Sequence, residues 1–233
     1  MSARDTKARK PRSLLGRLIL WPTLALLLFF GLCSASLVAM RWLPPPVTSV
    51  QIQRQLEALV EPGDFEFRYT PVPLSAISDQ AERAVVAAED TRFYQHGGID
   101  WEELEKARAE ARRRGTAPRG ASTITQQLVK NLFLTTHRSY VRKGLEVPLT
   151  YLAELILPKE RILALYLNVI EWGPGVFGIE AAAQHHYGTS AADLSRDQAA
   201  RLAAVIPAPR SRTPQRMGGY ASTIQTRMRQ MGW

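Results

Sequence analysis

One cysteine, Cys33, stands in 233 residues. With none after it, the chain downstream has neither a disulfide framework nor thiol chemistry. Histidine is nearly as scarce: His96, His137, His185 and His186 lack zinc spacing, and the adjacent pair reads as a surface feature of a helix. Internal repeats and long low-complexity segments are also missing. Acids are outnumbered, 21 against 30 Lys and Arg, which leaves a net charge of +9. Such an excess would ordinarily suggest nucleic acid or an anionic membrane. Seven of those cations (Arg4, Lys7, Arg9, Lys10, Arg12, Arg17, Arg41) lie in residues 1–41 beside one acid, Asp5, and the remainder is close to balanced. The basic character therefore belongs to a tail, and no nucleic-acid partner is expected. A 45% hydrophobic content with 22% charge excludes wholesale disorder.

Charge is absent altogether from Leu18 to Met40. As a helix that run would extend roughly 35 Å, enough to cross a bilayer core. A cleaved signal peptide is the alternative, but its apolar stretch would be shorter, and the small-residue candidate Ser34-Ala35-Ser36 lies inside the run. Leu32 stands before Cys33 where a lipoprotein signal needs a small residue, so Cys33 reads as an apolar helix residue. Six cations before the span and only Arg41 immediately after it predict a cytoplasmic N-terminus, with the rest of the chain on the other side. Pro44 to Pro46 read as a stiff spacer. The expected organisation is a basic tail over 1–17, a transmembrane helix over 18–40, a proline-rich spacer over 41–50 and one globular domain over 51–233.

That domain reads as mainly α. An extended stretch is expected near Phe65 to Val72. Helical periodicity follows at Gln80 to Glu89, Trp101 to Arg114, Ser122 to Phe133, within Tyr140 to Leu157, Lys159 to Val169, Gly178 to Tyr187, Ser195 to Val205 and Tyr220 to Met231. Asp100 is the expected cap of the second of these helices and Ser122 of the third.

Three places combine polar groups with apolar surroundings. Glu89 and Asp90 close a helix whose preceding turn, Ala84 to Ala88, is small and apolar. The negative end of the helix dipole and partial burial would raise a carboxylate's pKa there, as suits a general base or acid, although a solvated pair is the plainer alternative. His96, before Gly97-Gly98, sits where a turn can bring its imidazole back toward these carboxylates. Along the helix from Ser122, the residues Ser122, Thr123, Gln126, Gln127, Lys130 and Asn131 share one half with a single charge among them. That pattern suits a polyhydroxylated or phosphorylated ligand better than a solvated face, which would carry several charges. Gly120-Ala121 just ahead allows a ligand close to the helix N-terminus. Lastly, Arg142, Lys143 and Glu146 lie within one helical turn, either as a pyrophosphate site, direct or through a metal, or as a surface ion-pair network. Pro148 predicts that this helix begins late or is bent.

In these residues the chain resembles the peptidoglycan glycosyltransferases, glycosyltransferase family 51. Glu89 to Asp100, EDTRFYQHGGID, is similar to the family's EDxxFxxHxG motif. Gly120 to Asn131, GASTITQQLVKN, resembles its second motif, and Arg142 to Glu146 its RKxxE motif. Lys159 to Asn168 and Gly178 to Ala183 continue the likeness in order. The resemblance implies a lysozyme-like catalytic domain with a small membrane-proximal lobe behind one transmembrane helix. It implies polymerisation of lipid II into glycan strands, with inversion at C1 and release of undecaprenyl pyrophosphate. On the same ground Glu89 would deprotonate the incoming sugar 4-hydroxyl and Glu146 would assist the leaving group. Lys130, Arg142 and Lys143 would stabilise the pyrophosphate, helped by a divalent cation, Mg²⁺ or Mn²⁺, at Glu146. Ser122, Thr123, Gln126, Gln127 and Asn131 would line the site, and Asp90, Phe93 and His96 would shape the base's surroundings.

The implied partners are lipid II, the growing glycan on its undecaprenyl pyrophosphate, the bacterial inner membrane, and other proteins of a cell-wall synthesis complex. Bifunctional members add a transpeptidase domain with SxxK and KTG motifs, which this sequence lacks, so a single activity on the periplasmic face is expected. A lysozyme-like peptidoglycan hydrolase and a non-catalytic scaffold are the rival readings. A hydrolase would also use a carboxylic acid but would need no pyrophosphate site.

Overall fold

The computed structural model describes residues 14–60, 65–116 and 122–233. Gly120-Ala121 and the tail cations Arg4, Lys7, Arg9, Lys10 and Arg12 lie outside them. Ten α-helices occur among the described residues: α1 Leu14–Ala39, α2 Ser49–Val60, α3 Asp79–Glu89, α4 Trp101–Arg114, α5 Ile124–Phe133, α6 Tyr140–Ile156, α7 Lys159–Val169, α8 Ile179–Tyr187, α9 Arg196–Ala203 and α10 Gly218–Gln230. The expected extended stretch contracts to the two-residue strand β1, Arg68–Tyr69. It pairs in parallel with β3, Val176–Phe177, which is antiparallel to β2, Glu171–Gly173.

Two groups of helices build the core. Around α3 the inward residues are Ala81, Ala84, Val85, Val86, Ala87 and Ala88, small enough for α9 and α10 to pack closely on it. The second group is α5 against α6 and α7, with α2 covering α5. Phe93, Tyr166 and Trp172 are fully buried in the same apolar cluster. Gly178 turns the chain from β3 into α8 at φ 86°, and a Cβ there would meet the Asn168 carbonyl oxygen at 2.7 Å. Only glycine serves at that step.

Leu18–Ala39 is long and apolar enough to cross a membrane. Leu18, Trp21, Leu27, Leu28 and Leu32 stand exposed on it, as side chains meant for lipid would. Its last turns behave differently. Cys33 and Leu37 are buried in the catalytic domain's core, with Phe29, Phe30 and Met40 packed against it, and α1 lies along α6. Arg161 Nε, on α7, donates to the Met40 carbonyl at 2.6 Å. The end of the apolar helix is thus part of the domain.

Local capping corrects two expectations. α5 begins at Ile124, with Thr123 as its cap in place of Ser122, because Thr123 and Gln126 close a capping box: Gln126 N–H donates to Thr123 Oγ1 at 3.2 Å and Thr123 N–H to Gln126 Oε1 at 3.1 Å. α6 begins at Tyr140 on a Ser139 cap and runs through Pro148 to Ile156, so it does not start late. Asp100 caps α4 as expected, accepting from Glu103 N–H at 2.9 Å. Helix α2 was not anticipated by the hydrophobic pattern. Thr48 and Gln51 start it with a reciprocal pair of bonds at 2.9 and 3.2 Å.

Candidate active site

Glu89 is the last residue of α3, and Asp90 after it turns inward. The Asp90 carboxylate accepts the Ile124 N–H at 3.0 Å, at the positive end of α5. His96 Nε2 lies 3.0 and 3.1 Å from its two oxygens. Because the Gly98 N–H donates to His96 Nδ1 at 3.2 Å, Nε2 carries the hydrogen and donates to Asp90. Thr123 Oγ1 donates to the Gly98 carbonyl at 2.5 Å, completing the tie between the end of α3 and the start of α5. Gly98 has φ 98°, and a Cβ there would lie 2.7 Å from Thr150 Cγ2 and 2.9 Å from Glu154 Cγ. Phe93 is fully buried, with Lys159 Nζ 4.5 Å from its ring centre. Lys159 in turn binds Glu154 at 2.8 Å, and Thr125 Oγ1 donates to the same oxygen at 2.5 Å.

These bonds place Glu89 over the face of α5. Gln127 Nε2 donates to Glu89 Oε2 at 2.7 Å, and the Tyr166 hydroxyl donates to Gln127 Oε1 at 2.8 Å. Burial, with Glu89 and Asp90 adding to it, raises the Tyr166 phenol well above its ordinary pKa. The phenol therefore stays a donor, which fixes the carbonyl end of Gln127 toward Tyr166 and its amide hydrogens toward Glu89.

One turn further along α5, Lys130 faces a second carboxylate. Glu146 is 2% exposed. It accepts from Arg142 at 2.9 Å and from Lys143, whose ammonium also reaches Ser122 Oγ at 3.4 Å. Lys130 makes no hydrogen bond or ion pair among the described residues. Burial lowers its pKa foremost; Glu146 and Glu89 oppose that shift, and Arg142 and Lys143 add to it. A single lysine thus lies in the fields of both carboxylates.

The polar half of α5 is divided between structure and site. Thr123, Gln126 and Asn131 are buried; the first two are spent on the cap, and Asn131 Nδ2 donates to the Gln127 carbonyl at 2.8 Å. Ser122, Gln127 and Lys130 face the groups around Glu89 and Glu146. Asp90, Phe93 and His96 lie behind the end of α3 that carries Glu89. Asp90, His96 and Asp100 also place ligand-type atoms within 4.8 Å of one another, but all three are engaged, Asp100 with Glu103 N–H and with Arg92 at 3.3 Å. They form a structural knot.

Glu89 borders two cavities of about 520 and 480 Å³, the first walled by α4 and the second by α10 and the loop before it. Both are within the range that holds organic ligands. Three neighbours of Glu89 carried no signal in the sequence. Tyr166 sits in an apolar run that signals only core, whereas Arg212 and Arg227 lie more than 120 residues after Glu89 and reach it only through the fold.

The family model described as Transglycosylase matches residues 57–231. A biosynthetic peptidoglycan transglycosylase of Bordetella pertussis is 46% identical over 220 residues, covering 91% of each chain. One from Chromohalobacter salexigens is 47% identical over 212 residues, covering 89% of this chain and 90% of the other. One from Herminiimonas arsenicoxydans is 52% identical over 166 residues, 71% and 72% of the two chains.

Proposed function

Since the chain belongs to the transglycosylase family and is a peptidoglycan glycosyltransferase, we propose that Glu89 is its general base and the Lys130, Arg142, Lys143 cluster its pyrophosphate site. The observation that supports this division is the layout of α5: a carboxylate oriented by Gln127 at one end, a cation cluster organised by Glu146 at the other, and Lys130 in reach of both. The acceptor's 4-hydroxyl attacks C1 of the donor sugar. Glu89 takes the hydroxyl proton, the C1–oxygen bond to undecaprenyl pyrophosphate breaks with inversion, and the charge gathering on the departing oxygens is met by the three cations. Glu146 is buried behind Arg142 and Lys143, so it acts through them as a positioning residue.

Mg²⁺ or Mn²⁺ would have to enter with the pyrophosphate oxygens. Both Glu146 oxygens are engaged by cations, and a site with one carboxylate among three positive side chains does not fit a resident divalent ion. No step is routed through one. A hydrolase has no use for this cation cluster, which is why the geometry favours transfer over cleavage. The anchor suits the bacterial inner membrane with the domain on the periplasmic side, where the lipid-linked substrates meet it.

The direct test is the purified full chain in detergent with labelled lipid II, with and without Mg²⁺. The expected product is a ladder of glycan polymers; no polymer under conditions in which a known transglycosylase works would overturn the reading. A second expectation concerns Lys130. Burying an ammonium without an ion-pair partner destabilises the native state, so Lys130→Met should stabilise the protein by about 1 kcal/mol while polymerisation falls at least ~100-fold. The native lysine binds protons less readily than the unfolded one. The gain should therefore be full at neutral pH and fade as pH rises toward the ordinary lysine value of 10.5. Thermal melts of both proteins across that range check the sign.

A further inference from the structure

We propose that Arg212 and Arg227 form a second anion site, in a cavity that Glu89 borders, which holds an anionic group of the acceptor substrate. The inference rests on the glycosyl-transfer reading. Of the 19 arginines with described side chains, eight (Arg54, Arg68, Arg83, Arg92, Arg114, Arg142, Arg201 and Arg210) have a carboxylate within 4.0 Å, and of the other eleven only Arg161, Arg196, Arg212 and Arg227 are half-buried. Arg212 and Arg227 have none among the described residues, although both are half-buried.

Each is instead held by backbone. Arg212 donates from one terminal nitrogen to the Ala204 carbonyl at 3.0 Å, and its guanidinium lies 5.9 Å from the Tyr220 ring centre. Arg227 donates to the Ala87 and Ala88 carbonyls at 3.3 and 3.4 Å, at the end of the helix that carries Glu89. In each case one terminal nitrogen is committed to carbonyls. Both side chains line the cavity of about 480 Å³ that also contains Glu89, Ser122, Gln127 and Tyr220. Glu89 is its only carboxylate among the described residues, so their lining carries an excess of positive charge. Two pre-positioned guanidiniums in a cleft of ligand size are a receptor for a phosphate or carboxylate. The sugar whose hydroxyl Glu89 deprotonates must enter beside that carboxylate, and the Lys130, Arg142, Lys143 cluster is already assigned to the leaving group. The anion is therefore the acceptor's, either its own pyrophosphate or a carboxylate of its peptide stem.

The experiment compares the wild-type full chain with R212Q, R227Q and the double variant, using lipid II with free and with amidated stem carboxylates. The expected result is a KM for lipid II raised about tenfold in the double variant with a smaller change in kcat. R227K, which keeps the charge, should recover most of the loss. If amidation raises the wild-type KM and the double variant shows no further dependence on amidation, the stem carboxylate is the ligand. If amidation is without effect while the variants still lose affinity, the pyrophosphate is. Should R227Q prove unfolded by thermal melt, R212Q and R227K carry the same comparison. Folded variants with an unchanged KM on both substrates would overturn the proposal. A wild-type chain that makes no polymer would instead overturn the glycosyl-transfer reading itself.

Discussion

Glu89→Gln is expected to abolish glycan polymerisation, a loss of at least ~1,000-fold, while lipid II binding and thermal stability stay close to wild type. The structure makes this an informative substitution. A glutamine carbonyl can accept the same bond from Gln127 Nε2 that Glu89 Oε2 accepts at 2.7 Å, so the side chain keeps its place and loses only its basicity. Tyr166 continues to orient Gln127 from the buried side. Binding measured by filter retention of labelled lipid II, set beside polymer yield, separates the two effects. Near-normal turnover would remove Glu89 from the role of base and would favour a reading in which the fold serves as a scaffold.

The second large effect is expected at Glu146. Glu146→Ala removes the only carboxylate among the described residues that Arg142 and Lys143 contact, leaving two cations next to a third, Lys130. Breaking a buried ion pair from one side costs about 3 kcal/mol or more, and the cations would spread apart. Polymerisation should fall at least ~100-fold, and the variant's affinity for inorganic pyrophosphate should fall with it. Glu146→Gln keeps the shape but only one acceptor for two donor-only cations, so it should recover part of the stability but little of the activity. A Glu146→Ala protein that polymerises at the wild-type rate would show that Arg142 and Lys143 need no organiser.

The helical character, the Asp100 cap and the clustering of Arg142, Lys143 and Glu146 could all be read from local patterns, since each depends on residues three or four apart. The polar half of α5 was legible as unusual but not as to its purpose. Only the packed structure shows Thr123 and Gln126 capping the helix while Gln127 reaches Glu89 and Lys130 lies in the field of Glu146 and Glu89. Helix α2 carried a signal that hydrophobic periodicity passes over, the Thr48 to Gln51 pair at capping spacing. Tyr166, Arg212 and Arg227 were not legible, because their significance lies in separations of tens of residues that the chain closes only on folding. The hairpin of β2 and β3, with Gly178 beyond it, is too short for alternation to reveal.

The burial of Cys33 and Leu37 and the bond from Arg161 to Met40 give the membrane helix a mechanical role. A helix joined by a flexible tether could lean in the bilayer without moving its cargo. Here the end of α1 lies along α6, the helix that carries Glu146, so any lean of one is transmitted to the other. A transmembrane segment adjusts its lean to the thickness of the lipid around it. With α1 seated in a bilayer, the thickness of that bilayer would bear on the angle at which the cleft meets lipid-borne sugars and on the height above the headgroups at which a new strand emerges.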